Sequence, residues 1–303
     1  MKSSRSPVLV VLIGASALVG VVGCGSGLET GPEANMAAAL KIREGFSAAP
    51  SKAGKAAETA SGATQLKRLE GWATLKGRFI LDGSAPSPAA LTIDKDQAVC
   101  GVHPLFNESL VIGKDKGIAN VVIYVRTPKI PVNKEYEKSA GDSVTLDNKG
   151  CRFEPHVQKI RIGQTLSVKN SDPVAHNTNV GGKNLQGNPL IPAGATAEFK
   201  VEGPESTPAP VSCNIHPWMK ARVVVTSNPY CAVSGEDGTF EIADLPAGEL
   251  EFQIWQENAG ALDVKNPDLQ PAGGAGRFKV SLEPGKEKDL KDITVSTAAL
   301  KAG

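Results

Sequence analysis

Between Cys213 and Met219 the chain reads Cys-Asn-Ile-His-Pro-Trp-Met, so a thiol, an imidazole and a thioether fall within seven residues. A His-Asn pair, His176-Asn177, stands 37 residues before Cys213. One site built from all four donors requires the 213–219 loop to fold back against the segment carrying His176. A β-sandwich provides that return readily, because its strands reverse over turns and stack in two layers. Pro217 stiffens the loop by fixing its own φ and restricting the residue before it. Sulfur suits Cu(I) and imidazole also accepts Cu(II), so His176, Cys213, His216 and Met219 form a set able to hold one copper ion in either oxidation state. Zn²⁺ is served less well, since it prefers cysteine, histidine and carboxylate to a thioether.

The pattern reaches beyond the four donors. Upstream lie Phe153-Glu154-Pro155-His156, Ile160-Arg161-Ile162-Gly163-Gln164-Thr165 and Val168-Lys169-Asn170, and downstream Lys220-Ala221-Arg222 leads into Val223-Val224-Val225. Over residues 145–226 the chain resembles the cupredoxins, the type 1 blue-copper family, in its amicyanin- and plastocyanin-like branch. The resemblance implies a Greek-key β-sandwich holding one type 1 copper. It makes the His176 and His216 imidazoles and the Cys213 thiolate the strong ligands, with Met219 a weak axial donor. Asn177 and Ser212 would then support the ligands from behind. It further implies that the ring edge of His216 approaches solvent inside an apolar rim. Pro217, Trp218, Pro173-Val174-Ala175 and Leu190-Ile191-Pro192 could supply that rim. The partner it implies is a redox protein such as a c-type cytochrome or a membrane oxidoreductase. The chain departs from the family just before Cys213, where Pro208 and Pro210 replace the usual aromatic residues. Proline is excluded from central ladder positions, so this stretch is expected to be an edge strand or an irregular loop, leaving the burial of the metal open.

The N-terminus reads as an export signal, with Lys2 and Arg5 ahead of an apolar stretch from Val8 to Val22. That stretch is too short and too rich in small residues for a good membrane span. It ends at Val21-Val22-Gly23-Cys24, which resembles a bacterial lipobox and implies lipidation of Cys24. An ordinary signal peptide with an incidental Cys24 is the alternative. Loss of residues 1–23 removes Lys2 and Arg5 and takes the formal charge from +1 to −1. The expected place is the cell envelope, outside the cytoplasm and tethered to a membrane. In that oxidising setting two of Cys100, Cys151 and Cys231 are expected to pair. Cys100 with Cys151 is the pair anticipated, with one involving Cys231 left open; a Cys213–Cys231 bond would destroy the copper reading.

Residues 24–70 read as a tether rich in Ala, Gly, Ser, Lys and Glu, with a short helix at Ala34–Phe46. If flexible it would span roughly 35–40 Å. From residue 71 the signals are β. Strands are expected at 72–81, 118–125, 151–162, 165–170, 196–202 and 221–226, then at 238–243, 249–256, 276–282 and 290–296. Pro284-Gly285 marks a hairpin between the last two. Gly235-Glu236-Asp237-Gly238-Thr239-Phe240 with Leu245-Pro246-Ala247-Gly248 resembles the later half of a carboxypeptidase-regulatory-like, transthyretin-type sandwich. Gly77 to Pro86 and Val121 to Val125 resemble its first half. The chain is therefore expected to be all-β, with a cupredoxin sandwich (145–228) inserted in, or packed against, a second small sandwich made of 71–144 and 229–303. The copper unit, being short, could borrow strands from 71–130.

Several function classes fall away. The 33 basic and 32 acidic residues show no basic patch with interleaved aromatics, so nucleic-acid binding has no support. Four histidines, two of them in the copper set, are too few for a self-contained multicopper oxidase. No phosphate loop or nucleophile elbow is present, and a non-enzyme is expected. The function expected is single-electron transport. The alternatives are a surface or adhesive β-sandwich without redox activity, or a copper-handling protein. His156 is expected to be structural or exposed.

Overall fold

Alternation in Trp72–Leu81 places Ala73, Leu75, Phe79 and Leu81 on one strand face, and in the computed structural model, which describes residues 68–300, these four are buried. The signal, Cys24, the tether and the Ala34–Phe46 helix lie outside the described residues. The described chain is all-β. It opens with β1 (Arg68–Asp82) and β2 (Val122–Val125). Eleven strands follow: β3 (Ser143–Asn148), β4 (Phe153–Glu154), β5 (Val157–Arg161), β6 (Thr165–Asn170), β7 (His176–Asn177), β8 (Asn179–Gly181), β9 (Gln186–Gly187), β10 (Leu190–Ile191), β11 (Thr196–Lys200), β12 (Ala209–Ser212) and β13 (Lys220–Thr226). The last group is β14 (Cys231–Val233), β15 (Thr239–Gln256), β16 (Gly260–Ala261), β17 (Gln270–Pro271), β18 (Arg277–Leu282) and β19 (Glu287–Ser296). One short helix, α1 (Gln97–Cys100), interrupts the long connection between β1 and β2.

The strands sort into an outer and an inner sandwich. The outer sheet runs β14-β2-β15-β1-β19, with β16 and β18 also on β15 and β17 on β18. The inner sheets run β11-β6-β3-β4 and β5-β13-β12-β8-β9, with β7 and β10 paired separately. Two apolar cores match this division. One joins Leu75, Phe79, Ile123, Phe252, Val280 and Ile293; the other joins Leu146, Leu166, Val168, Val211, Val223 and Cys213. A third, small cluster of Val122, Tyr124, Val157, Val224, Cys231 and Trp255 sews β2, β14 and β15 to β5 and β13. The inner sheets take no strand from residues 71–130, because β1 and β2 are consumed by the outer sheet.

Two expectations about local structure are corrected. The stretches 238–243 and 249–256 form one continuous strand, β15, which pairs with β1 through its first half and with β2 and β18 through its second. Because β15 serves both halves of the sheet, Pro284-Gly285 does not close a hairpin: β18 pairs with β15, whereas β19 lies parallel to β1. The proline-bearing stretch before Cys213 is as expected: residues 205–208 are irregular, and at Pro210 the strand is paired on one side only. β12 lies between β13 and β8, but its ladder to β8 covers only Val211 and Ser212, past both prolines, so no proline N–H is needed on that side.

Candidate metal centre

The loop that joins β12 to β13 is closed by its own backbone. Cys213 N–H donates to the Met219 carbonyl (3.2 Å) and Met219 N–H to the His216 carbonyl (2.9 Å). The His216 N–H points at Cys213 Sγ (3.4 Å). Pairing of Ser212 with Lys220 fixes the mouth of the loop. His176 enters from β7, held in place by β10.

This arrangement gathers His176, Cys213 and His216 with donor atoms within 4.8 Å of one another. The two Nδ1 atoms face each other at 2.9 Å, and Cys213 Sγ is 3.7 Å from the Nδ1 of His216. Met219 is buried in the same core as Cys213. Each imidazole is anchored at its far nitrogen by a carboxylate: His176 Nε2 to Asp172 Oδ2 (2.9 Å) and His216 Nε2 to Asp96 Oδ2 (2.7 Å). A carboxylate only accepts, so both Nε2 atoms carry the hydrogen, and in the neutral rings both Nδ1 atoms turn lone pairs inward. Two lone pairs at that separation repel, so either a proton on one ring or a metal ion belongs between them. The set of two imidazoles, one thiol and a buried thioether fits copper. A second group, Cys151, Asp172 and His176, also clusters, but Cys151 is bonded to Cys100 and offers no thiolate.

Electrostatics follow the geometry. Burial disfavours the charged ring of His176, yet Asp172 and Cys213 outweigh it and raise its pKa to about 9. Burial likewise opposes the Cys213 thiolate, but His176 and hydrogen bonds from around Asn177 and His216 lower its pKa to about 6. Asp172, though buried, is held below the usual carboxylate range by His176 and by the N–H groups of Cys151 and Gly150. Both shifts favour the charged forms of this pair, an imidazolium beside a thiolate.

Asn177 Oδ1 accepts from Asn214 N–H (2.8 Å), Ile215 N–H (3.1 Å) and Cys213 Sγ (3.4 Å), so one amide oxygen shapes the loop start. Ser212 contributes through its backbone, paired to Asn179 and Lys220. The His216 ring edge does not approach solvent. His216 is 0% exposed, and its Nε2 faces the Asp96 carboxylate. Trp218 is half-buried, its ring 5.0 Å from that of His216, and its Nε1–H donates to the Cys151 carbonyl (3.1 Å). Of the other rim residues, Leu190 is exposed and Ile191 is buried. Cys100 and Cys151 form a disulfide, while Cys213 and Cys231 are free and buried. His156 is buried with Nε2 on Glu257 (2.6 Å), a carboxylate that also takes Arg222 (3.1 Å).

Sequence reading missed both carboxylates. Asp172 lies four residues before His176, a spacing that could have drawn notice. Asp96 lies 120 residues before His216, and no local pattern connects them.

No family model matches the chain, and no curated protein matches it. Among solved structures it is similar over part of its length to a purple cupredoxin from Nitrosopumilus maritimus, with 23% identity, 27% of this chain and 98% of that one covered, and a TM-score of 0.24. It is similar also to a mutant of amicyanin in the Cu(I) state (17% identity, 27% of this chain and 81% of that one, TM-score 0.25). A copper-containing nitrite reductase from Thermus scotoductus is similar at 24% identity over 27% of this chain and 22% of that one, with a TM-score of 0.25.

Proposed function

We infer that this chain would bind one copper ion through His176, Cys213 and His216, with the Met219 thioether as a weaker donor, and carries single electrons between redox partners outside the cytoplasm. The observation that carries this reading is the 2.9 Å approach of two Nδ1 atoms whose opposite nitrogens are both tied to carboxylates, with a thiol beside them. The chemistry a bound copper ion supplies is one-electron exchange between Cu(I) and Cu(II).

The protein's share is to hold the donors still. Asp172 and Asp96 fix both ring planes and tautomers, Asn177 shapes the turn after Cys213, and the closed backbone of 213–219 sets the reach of His216 and Met219. Exposure of 0% at both histidines and 1% at Cys213 keeps water out. A fixed, dry cage changes little on gaining or losing an electron. Reading the chain as a carrier and not as a catalyst rests on the histidine count: His103 is exposed and His156 is committed to Glu257. The partner proposed is a redox protein such as a c-type cytochrome or membrane oxidoreductase, and the proposed location is the membrane surface, through Cys24.

The test is to load the full chain with Cu(II) and record visible and EPR spectra. An intense thiolate-to-copper band that disappears in Cys213→Ser is the expected result. A colourless protein, or a tetragonal Cu(II) spectrum unchanged by that substitution, would refute the assignment.

A further inference from the structure

The connection between β1 and β2 includes a stretch, residues 84–109, that belongs to none of the three apolar clusters. It has a small frame of its own, with Leu91 N–H on the Leu105 carbonyl (2.9 Å) and Asn107 N–H on the Ala89 carbonyl (2.8 Å). Its attachments to the body are few and specific. Cys100 is bonded to Cys151, Glu108 meets Arg152 at 3.0 Å and lies 3.8 Å from His156 Nδ1, and Gln256 Nε2 donates to the Ser109 carbonyl at 2.6 Å. A further one is Asp96 on His216.

Asp96 breaks two local rules to make that contact. It stands directly before α1, where an aspartate ordinarily folds its carboxylate back onto the first free N–H groups of the helix. Here no such side-chain bond exists, and the residue is left-handed, at φ 47° and ψ 39°. A non-glycine residue holds that conformation where its surroundings determine it, often at a functional site. Its carboxylate is turned to His216 instead, while its carbonyl accepts from Cys100 N–H (2.8 Å). The disulfide continues the connection. Cys151 N–H donates to Asp172 Oδ2 (2.9 Å), the oxygen that also takes His176, and its carbonyl takes Trp218. Both carboxylates behind the two histidines are thus referred to one covalent link.

We propose that Asp96 is a positioning residue for His216, and that residues 84–109 form a cap, pinned by Cys100–Cys151, that closes the His216 ring edge to solvent and to a docking partner. The positioning role rests on the copper reading above; the closure does not. An electron arriving on this face meets Asp96, whose side chain is 43% exposed, before it meets the ligand.

The test uses the full-length chain in detergent, first without metal. Hydrogen exchange at His216 Nε2 and at the amides of 213–219 is followed by ¹⁵N NMR in the parent, in Asp96→Ala and in Cys100→Ala/Cys151→Ala. Loss of a charge-assisted bond should speed exchange about tenfold or more at these positions, with the amides of β3 and β6 unchanged. Unaltered exchange in Asp96→Ala overturns the cap, and that single variant decides if the double one fails to fold. The second readout is Cu(I) affinity, expected to fall about 10–100-fold in Asp96→Ala and to recover in part in Asp96→Asn, which keeps an acceptor oxygen. Equal affinity in parent and Asp96→Ala overturns the positioning role. A parent chain that binds no copper refutes the copper reading, while faster loop exchange in the variants would still support the cap.

Discussion

Asn177 offers a sharp single-atom experiment. Its Oδ1 is the acceptor for two loop N–H groups and faces the Cys213 thiol. Asn177→Ala leaves those donors without a partner in a place water reaches poorly, and should cost about 1–3 kcal/mol. Urea denaturation of the metal-free chain measures it, and an unmoved midpoint would show that the loop is shaped by other means. The gathering of His176, Cys213 and His216 was legible because the spacing is chemical: thiol, imidazole and thioether within seven positions have few other uses. The carboxylates were not, since an aspartate's role depends on what the fold brings opposite it. Asp96 and His216 meet only through tertiary structure. The solvent-facing ring edge implied for His216 failed for the same reason, because the cover comes from a distant segment with no apolar pattern to announce it.

Among the elements, strands with alternating apolar residues were readable, and turns were readable as turns but not by the partners they join. Pro284-Gly285 is a turn, yet β18 and β19 go to different neighbours, because β15 is long enough to serve both halves of the sheet. The Gly235–Gly238 turn shows how tightly such connections are fitted. Gly238 has φ +82°, and a Cβ there would lie 2.2 Å from the Phe79 carbonyl oxygen and 3.0 Å from Gly117 Cα. The Phe79 N–H donates to the Gly238 carbonyl (2.9 Å), so the turn is stitched directly to β1. Gly238→Ala combines left-handed strain with a backbone clash and should destabilise the chain by more than about 1 kcal/mol. Gly285, also left-handed but with no atom within 4 Å of an added Cβ, is the matched control for strain without the clash. Thermal unfolding of the two alanine variants compares them, and equal loss in both would remove the packing argument.

At the scale of the whole molecule, an all-β chain of several sheets was readable, whereas the seam between the sandwiches was not. That seam contains Cys231, whose thiol burial pushes up to about 12 against the opposing pull of Lys159, and it adjoins Tyr230, also raised to about 12 by burial. Both groups keep their protons longer in the folded chain than in the unfolded one, whose thiol titrates near 9 and phenol near 10. Above those values the unfolded state binds fewer protons, so stability is full below about pH 9 and declines toward pH 12. Urea midpoints taken across that range should fall, and fall less in Cys231→Ala; a flat profile would mean the seam opens to water. The strand order carries one more implication, for the time before the fold exists. Among the described strands, those that flank β1 are β15 and β19 and those that flank β2 are β14 and β15, all of them coded after the inner sandwich. Lys76, for example, waits for Glu241. A chain that emerges from its N-terminus can complete the inner sandwich while the first half of the outer one still has bare edges. During that interval the ribosome has delivered two apolar strands whose partners are not yet made, and it is then that the young chain is most exposed to its neighbours.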